Sequence, residues 1–134
     1  CWVTHDVNYL TKRTTTLDLR FDVAMRGALG IGSHITGLTP EEREHYRRLI
    51  RFYKRIRPTV QEGDLYRLEG LAEDNASVWL VVAADRLTAV FSCVRVENPV
   101  GSHYGPHRLR GLDPVQTYAL SDAGGPVGEP VTGA

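Results

Sequence analysis

Apolar and polar positions follow two different periods along this chain, and the change of period divides it. In the first half the spacing is helical. Leu17, Phe21, Ala24 and Ala28 fall on one helical stripe. The threonines at 14–16 supply an N-cap hydroxyl just before it. Asp22 and Arg26 are ordered for a weak i,i+4 ion pair, and Gly27, Gly30 and Gly32 are expected to stop the helix. Upstream, Trp2-Val3-Thr4 reads as the end of a strand that enters a loop. Downstream, Leu29 to Thr36, with Ile31 and Ile35, predicts a short strand. A second helix begins at Thr39-Pro40-Glu41-Glu42, with Thr at the N-cap, Pro at the first helical position and Glu at the third. Tyr46, Leu49, Ile50, Tyr53 and Ile56 then recur at helical spacing. Acidic residues crowd its start and basic residues its end, which suits the helix dipole. Pro58 is expected to end it.

From Asp64 the period becomes two. Leu65 to Leu68, Ser77 to Ala84 and Leu87 to Val96 predict strands, with Asp85-Arg86 as a hairpin turn between the last two. Residues 98–106 form a loop by composition, and Gln116 to Leu120 gives a last strand. Residues 121–134, rich in Gly, Pro and Ala, predict a disordered tail. The fold class that follows is α+β: two βα units over residues 1–58, then a small antiparallel β-domain over 64–120.

Composition narrows the classes without choosing among them. The chain has 134 residues, 42% hydrophobic and 24% charged, which is globular usage. Its 16 Lys and Arg balance 16 Asp and Glu, so a chain-wide basic footprint for nucleic acid or a membrane surface is not expected. No apolar run approaches the ~18 residues of a membrane span. The opening residues lack the charged and apolar regions of a signal peptide. Two cysteines are too few for a disulfide scaffold, which points to a reduced, cytoplasmic chain. Cys1 heads the chain and Met25 is its only methionine, so the sequence is expected to be a piece of a longer one.

Candidate chemistry is sparse. His103 and His107 have a metal-like spacing, but Tyr104-Gly105-Pro106 between them excludes a helix, so they read as a loop pair and no metal is expected. The glycines at 27, 30 and 32 follow a helix and precede a strand. That is the reverse of a phosphate-cradling loop, and no cofactor is implied. Arg43, Arg47, Arg48, Arg51, Lys54, Arg55 and Arg57 read as the solvated face of an amphipathic helix. Cys93, on an apolar strand, reads as a buried, inert thiol. Ser77 and Ser92 lack a nucleophile elbow.

Several segments together resemble one family. They are Cys1-Trp2-Val3-Thr4, Thr11-Lys12-Arg13 with Thr14 to Leu17, Leu19 to Met25, Leu29-Gly30-Ile31-Gly32, and the helix from Glu41 to Arg57. Ile56-Arg57-Pro58 through Gly63-Asp64-Leu65-Tyr66-Arg67-Leu68, then Val78-Trp79, Ala89-Val90 and Leu109 to Pro114, complete the set. In order and spacing, over about residues 1–120, they are similar to the C-terminal end of the family 36 α-galactosidases, glycoside hydrolases of the melibiase type. Two departures stand out. After Val-Thr, relatives usually read Asp-x-Pro-Asn, whereas this chain reads His5-Asp6-Val7-Asn8. Lys12 stands where a glycine is usual, which removes easy access to positive φ.

The resemblance implies that residues 1–58 are the last two βα units of a (β/α)8 barrel, and that 64–120 form the C-terminal antiparallel β-domain. A barrel needs eight such units and ~200–250 residues, so this chain has room for two. Retaining glycosidases use two carboxyl groups. In this family both aspartates lie upstream, and Asp6, Asp18, Asp22 and Asp64 match neither, so no catalytic residue is assigned and the chain alone is expected to be inactive. Barrel chemistry sits at the C-terminal ends of strands. Trp2, Thr4, His5, Asp6 and Asn8 after one strand, and Ser33 and His34 after the next, are therefore expected to line the sugar subsite. The implied partners are the remainder of the hydrolase barrel, a galactoside bound only by the full enzyme, and further copies in a homo-oligomer. Two alternatives stand beside this. One is a non-catalytic β-module that binds carbohydrate. The other is a structural segment that supports the barrel and subunit assembly.

Overall fold

A computed structural model describes residues 1–70, 75–97 and 105–133. The chain forms two compact units, Cys1–Arg57 and Pro58–Ala134.

The first unit is a β-α-β motif followed by a long helix. Strand β1 (Trp2–Val3) and strand β2 (Gly30–Ile31) pair in parallel, with Trp2 opposite Gly30 and Val3 opposite Ile31. Helix α1 (Leu17–Ala24) makes the crossover. The Thr16 hydroxyl caps α1 by accepting from the Leu19 amide at 3.3 Å. The helix stops at Ala24, before the predicted glycine, so Ala28 lies outside it and is exposed. Phe21, Ala24 and Met25 are buried, as is Val3. The predicted strand over Leu29 to Thr36 is only two residues long. Pairing with the equally short β1 ends at Ile31, and Ile35 is exposed.

Helix α2 (Pro40–Glu62) opens with the reciprocal pair that its first residues predict. Thr39 Oγ1 accepts from the Glu42 amide at 3.2 Å, and Glu42 Oε2 accepts from the Thr39 amide at 2.8 Å. Tyr46, Leu49 and Tyr53 are buried, and Tyr46 meets Phe21 edge-on with ring centroids 5.2 Å apart. The opposite face is charged and exposed. There Glu44 accepts from Arg51 at 2.7 Å and Arg47 at 3.4 Å. The hydrogen bond from Arg51 chiefly holds the Glu44 carboxyl below its ordinary value. Pro58 does not end α2. It removes one amide from the ladder, but it is exposed, where solvent serves the freed carbonyl, and the helix runs on to Glu62.

The second unit is built on a three-stranded antiparallel meander, β3 (Asp64–Glu69), β4 (Ala76–Val82) and β5 (Ala89–Arg95), with β4 central. Six of its seven residues are buried, which is why this stretch reads as a continuous apolar run rather than an alternating one. On one face, Leu80, Val82 and Leu112 form a core against Tyr66, Leu68, Ala89, Leu109 and Tyr118. Gly63, where α2 gives way to β3, lies where a Cβ would come within 2.6 Å of both the Thr59 and Val82 carbonyl oxygens. Only glycine permits that approach. The hairpin turn is longer than two residues. Asp85 Oδ1 accepts from the Leu87 amide at 2.9 Å, Ala83 bonds to Thr88, and Arg86 takes φ 57.

Two expectations are corrected here. Cys93 is exposed, because β5 is an edge strand of the meander. Residues 121–134 are not a featureless tail. Strand β6 (Thr117–Tyr118) pairs with β7 (Val131–Thr132). Asp122 turns the chain between them, its carboxylate accepting from the Gly124 and Gly125 amides at 2.6 and 3.1 Å. The Gly and Asp content there is turn chemistry. His103 and Tyr104 lie outside the described residues. His107 Nδ1 donates to Glu69 Oε1 at 2.8 Å, and the ring packs near Phe91.

Candidate functional site

Parallel pairing sends β1 and β2 out at the same end of the first unit, and the residues that follow each strand collect there. Trp2 is 69% exposed. Its indole lies across the neighbouring strand, so that a Cβ on Gly30 would meet Cε3 at 2.8 Å. Glycine at 30 is therefore what leaves room for the ring. Thr4 is exposed, and its carbonyl accepts from the Arg20 guanidinium, which ties the strand end to α1. His5 and His34, one beyond each strand, face each other with ring centroids 5.4 Å apart and planes tilted by 52°. Ser33 Oγ, beside them in sequence, shares a hydrogen bond of 3.0 Å with the buried Tyr46 hydroxyl.

His5 and His34 thus meet beyond the two parallel strands, with Thr4 and Ser33 adjoining them in sequence, while Trp2 lies within β1 against Gly30. Asn8 has a different use. Its side-chain oxygen accepts from the Leu10 and Thr11 amides, both at 2.9 Å, and its backbone pairs with Arg13. It shapes the 6–15 loop, in which Lys12 adopts φ 59. Asp6 sits in the same loop, and its carbonyl accepts from the Thr15 amide. Asp18 is engaged with His45 at 2.8 Å, Asp22 is on α1, and Asp64 begins β3 in the other unit.

Tyr53 is a supporting residue that the pattern alone marks only as core. Its hydroxyl donates to the Gly27 carbonyl at 2.8 Å and accepts from the Leu29 amide at 3.2 Å, fixing the entry into β2. Only its helical spacing was visible, because its partners are distant in sequence. Among the described residues there is no group of three or more His, Cys, Asp or Glu side chains arranged to hold a metal ion. No described helix is long and apolar enough to cross a membrane.

Comparison with known proteins bears on the chain as a whole. Residues 2–63 match the Melibiase family, and residues 76–134 match the glycosyl hydrolase family 36 C-terminal domain. The chain is 36% identical over 117 residues to alpha-galactosidase AgaA of Geobacillus stearothermophilus, a match that takes in 87% of this chain and 16% of that protein. It therefore spans about a sixth of the length of this curated relative. A crystal structure of an AgaA variant in complex with stachyose superposes with a TM-score of 0.82 at 36% identity, over 88% of this chain and 16% of that one. The crystal structure of an alpha-galactosidase from Lactobacillus brevis gives a TM-score of 0.87 at 28% identity, over 98% of this chain and 18% of that one.

Proposed function

Since the chain belongs to glycosyl hydrolase family 36, we propose that it is the C-terminal part of an α-galactosidase that hydrolyses terminal α-galactosides in oligosaccharides by a retaining mechanism. The observation that carries this reading is the ordered match of both family segments along one chain, 2–63 then 76–134. In this reading β1, α1, β2 and α2 are the last two βα units of a (β/α)8 barrel, and the meander with β6 and β7 is the C-terminal β-domain. The parallel β1–β2 pair with α1 as its crossover supports that placement.

The chemistry of a retaining glycosidase needs two carboxyl groups about 5–5.5 Å apart, one as nucleophile and one as acid and base. Those groups come from barrel strands that precede this segment. Trp2, Thr4, His5 and His34 contribute the rim of the sugar subsite, with Asn8 holding the loop behind them. An indole face laid flat beside two glycines suits the apolar face of a sugar ring. The remainder of the barrel is the principal partner. Exposed Trp2, Tyr9, Leu10 and Ile35 in a single unit are what such a partner would cover. Two free cysteines go with a cytoplasmic setting.

The test is a chimera of the Geobacillus enzyme in which this chain replaces the matched C-terminal segment. It is expected to release nitrophenol from an aryl α-galactoside, with Trp2→Ala raising KM, while the 134-residue chain alone releases none. Saturable turnover by the isolated chain would overturn the assignment of its carboxylates. A folded chimera without activity would overturn the subsite.

A further inference from the structure

The His5 and His34 pair has a geometry that the sugar reading does not require. The two rings project from the same end of two parallel strands, His5 two residues beyond β1 and His34 three beyond β2. Both are exposed, and neither makes a hydrogen bond or ion pair among the described residues. His45 and His107, in contrast, are each held by a carboxylate at 2.8 Å. The distance between the free pair is informative. A zinc-type ion lies about 2.0–2.1 Å from an imidazole nitrogen, hence roughly 3.2 Å from the ring centroid. Two rings sharing one ion at a tetrahedral angle then have centroids about 5.2 Å apart. The observed separation is 5.4 Å.

We propose that His5 and His34 form a two-imidazole site for a borderline divalent cation of the zinc, copper or nickel type. Imidazole is a favoured ligand of these ions, which are held here by two protein nitrogens with solvent completing the coordination. Asp6 follows His5 in sequence, and among the described residues no third His, Cys, Asp or Glu side chain completes a three-ligand cage. With no outer-shell partner on either ring among the described residues, the site is weak and exchangeable rather than structural. The inference is independent of the α-galactosidase reading, because it rests on these two rings alone.

The experiment is a Zn²⁺ titration of the chain followed through the imidazole nitrogen resonances. The rings of His5 and His34 are expected to shift together with one midpoint, while those of His45 and His107 stay in place. Losing even an outer-shell partner costs about 10–100-fold in metal affinity, so His5→Ala should weaken binding seen at the His34 ring by at least about tenfold. The His34→Ala variant should do the same at His5, and the amide spectrum verifies that each variant stays folded. The readout is local, so zinc taken by the thiols of Cys1 or Cys93 does not enter it. Separate midpoints, an unchanged His34 response in His5→Ala, or no shift at either ring would overturn the proposal.

Discussion

The two units bury their strands to very different depths. In the first, β1 and β2 are two residues long, and Trp2, Tyr9 and Leu10 beside them are 69%, 78% and 73% exposed. In the second, β4 is seven residues long and almost wholly buried between two paired neighbours. Buried apolar area stabilises in proportion to its extent. Each unit nevertheless holds a core of its own, around Val3, Phe21 and Leu49 in the first and Val78, Leu80 and Val82 in the second, and each leaves large apolar side chains exposed. The difference teaches that the first unit draws its core from helix faces, at Phe21, Tyr46 and Leu49, and the second from a central strand.

The sharpest test of this contrast compares two truncations. Leu80→Ala should lower the stability of the cooperative transition by about 2–5 kcal/mol, read by chemical denaturation. Phe21→Ala, at an equally buried site, should cost about 3–5 kcal/mol, read through the amide protection of the first unit. Equal loss of protection in both units from either change would mean that they share one cooperative core. The next effect in size is Gly63→Ala. A methyl group there meets two backbone oxygens, which cannot swing aside, so a loss of about 1–3 kcal/mol is expected by the same measurement.

Two tyrosines give a matched pair. Tyr53 bridges Gly27 and Leu29 in the first unit. Tyr118 bridges Arg86, at 2.6 Å, and the Asp113 amide, at 3.0 Å, in the second. Replacing either by Phe orphans two main-chain groups. Tyr118→Phe should cost about 1–2 kcal/mol. Tyr53→Phe should register mainly as faster amide exchange at Leu29, with little change in the main transition. The smallest effect is a gain. Lys12 occupies the left-handed region, which costs a residue with a side chain roughly 1–2 kcal/mol, while glycine returns part of that as unfolded-chain entropy. Lys12→Gly should therefore stabilise the 6–15 loop by about 0.5–1 kcal/mol. Unchanged or slower loop ordering in the variant would argue that the Asn8 turn, not the Lys12 backbone, sets the loop.

Much of this was legible in one dimension, for a specific reason. The capping box at Thr39 and Glu42, the Thr16 cap and the Asp85 turn each join atoms within a few residues, so composition and spacing suffice to find them. The apolar run of β4 was equally plain, because a strand buried on both faces needs apolar residues at every position. The family likeness was readable too, since it rests on the order of short motifs. Element ends were less so. Pro58 lies on a solvated side, where a missing amide is tolerated, and Asp122-Ala123-Gly124-Gly125 has the composition of a linker yet closes a hairpin.

The site divides in the same way. That Thr4 and His5 follow a strand end was legible in the sequence, whereas Trp2 belongs to β1 itself and His34 leaves the strand only because β2 stops at Ile31. Tertiary structure decided the rest: the parallel register of β1 and β2, the indole resting on Gly30, the meeting of the two imidazoles, and the use of Asn8 as a turn former. It also decided that the Tyr118 hydroxyl reaches a carbonyl 32 residues away. Contacts of that kind leave no periodic trace along the chain. Their energy is gained only after the intervening residues have been ordered, so they belong to the closed fold and not to any local stretch of it.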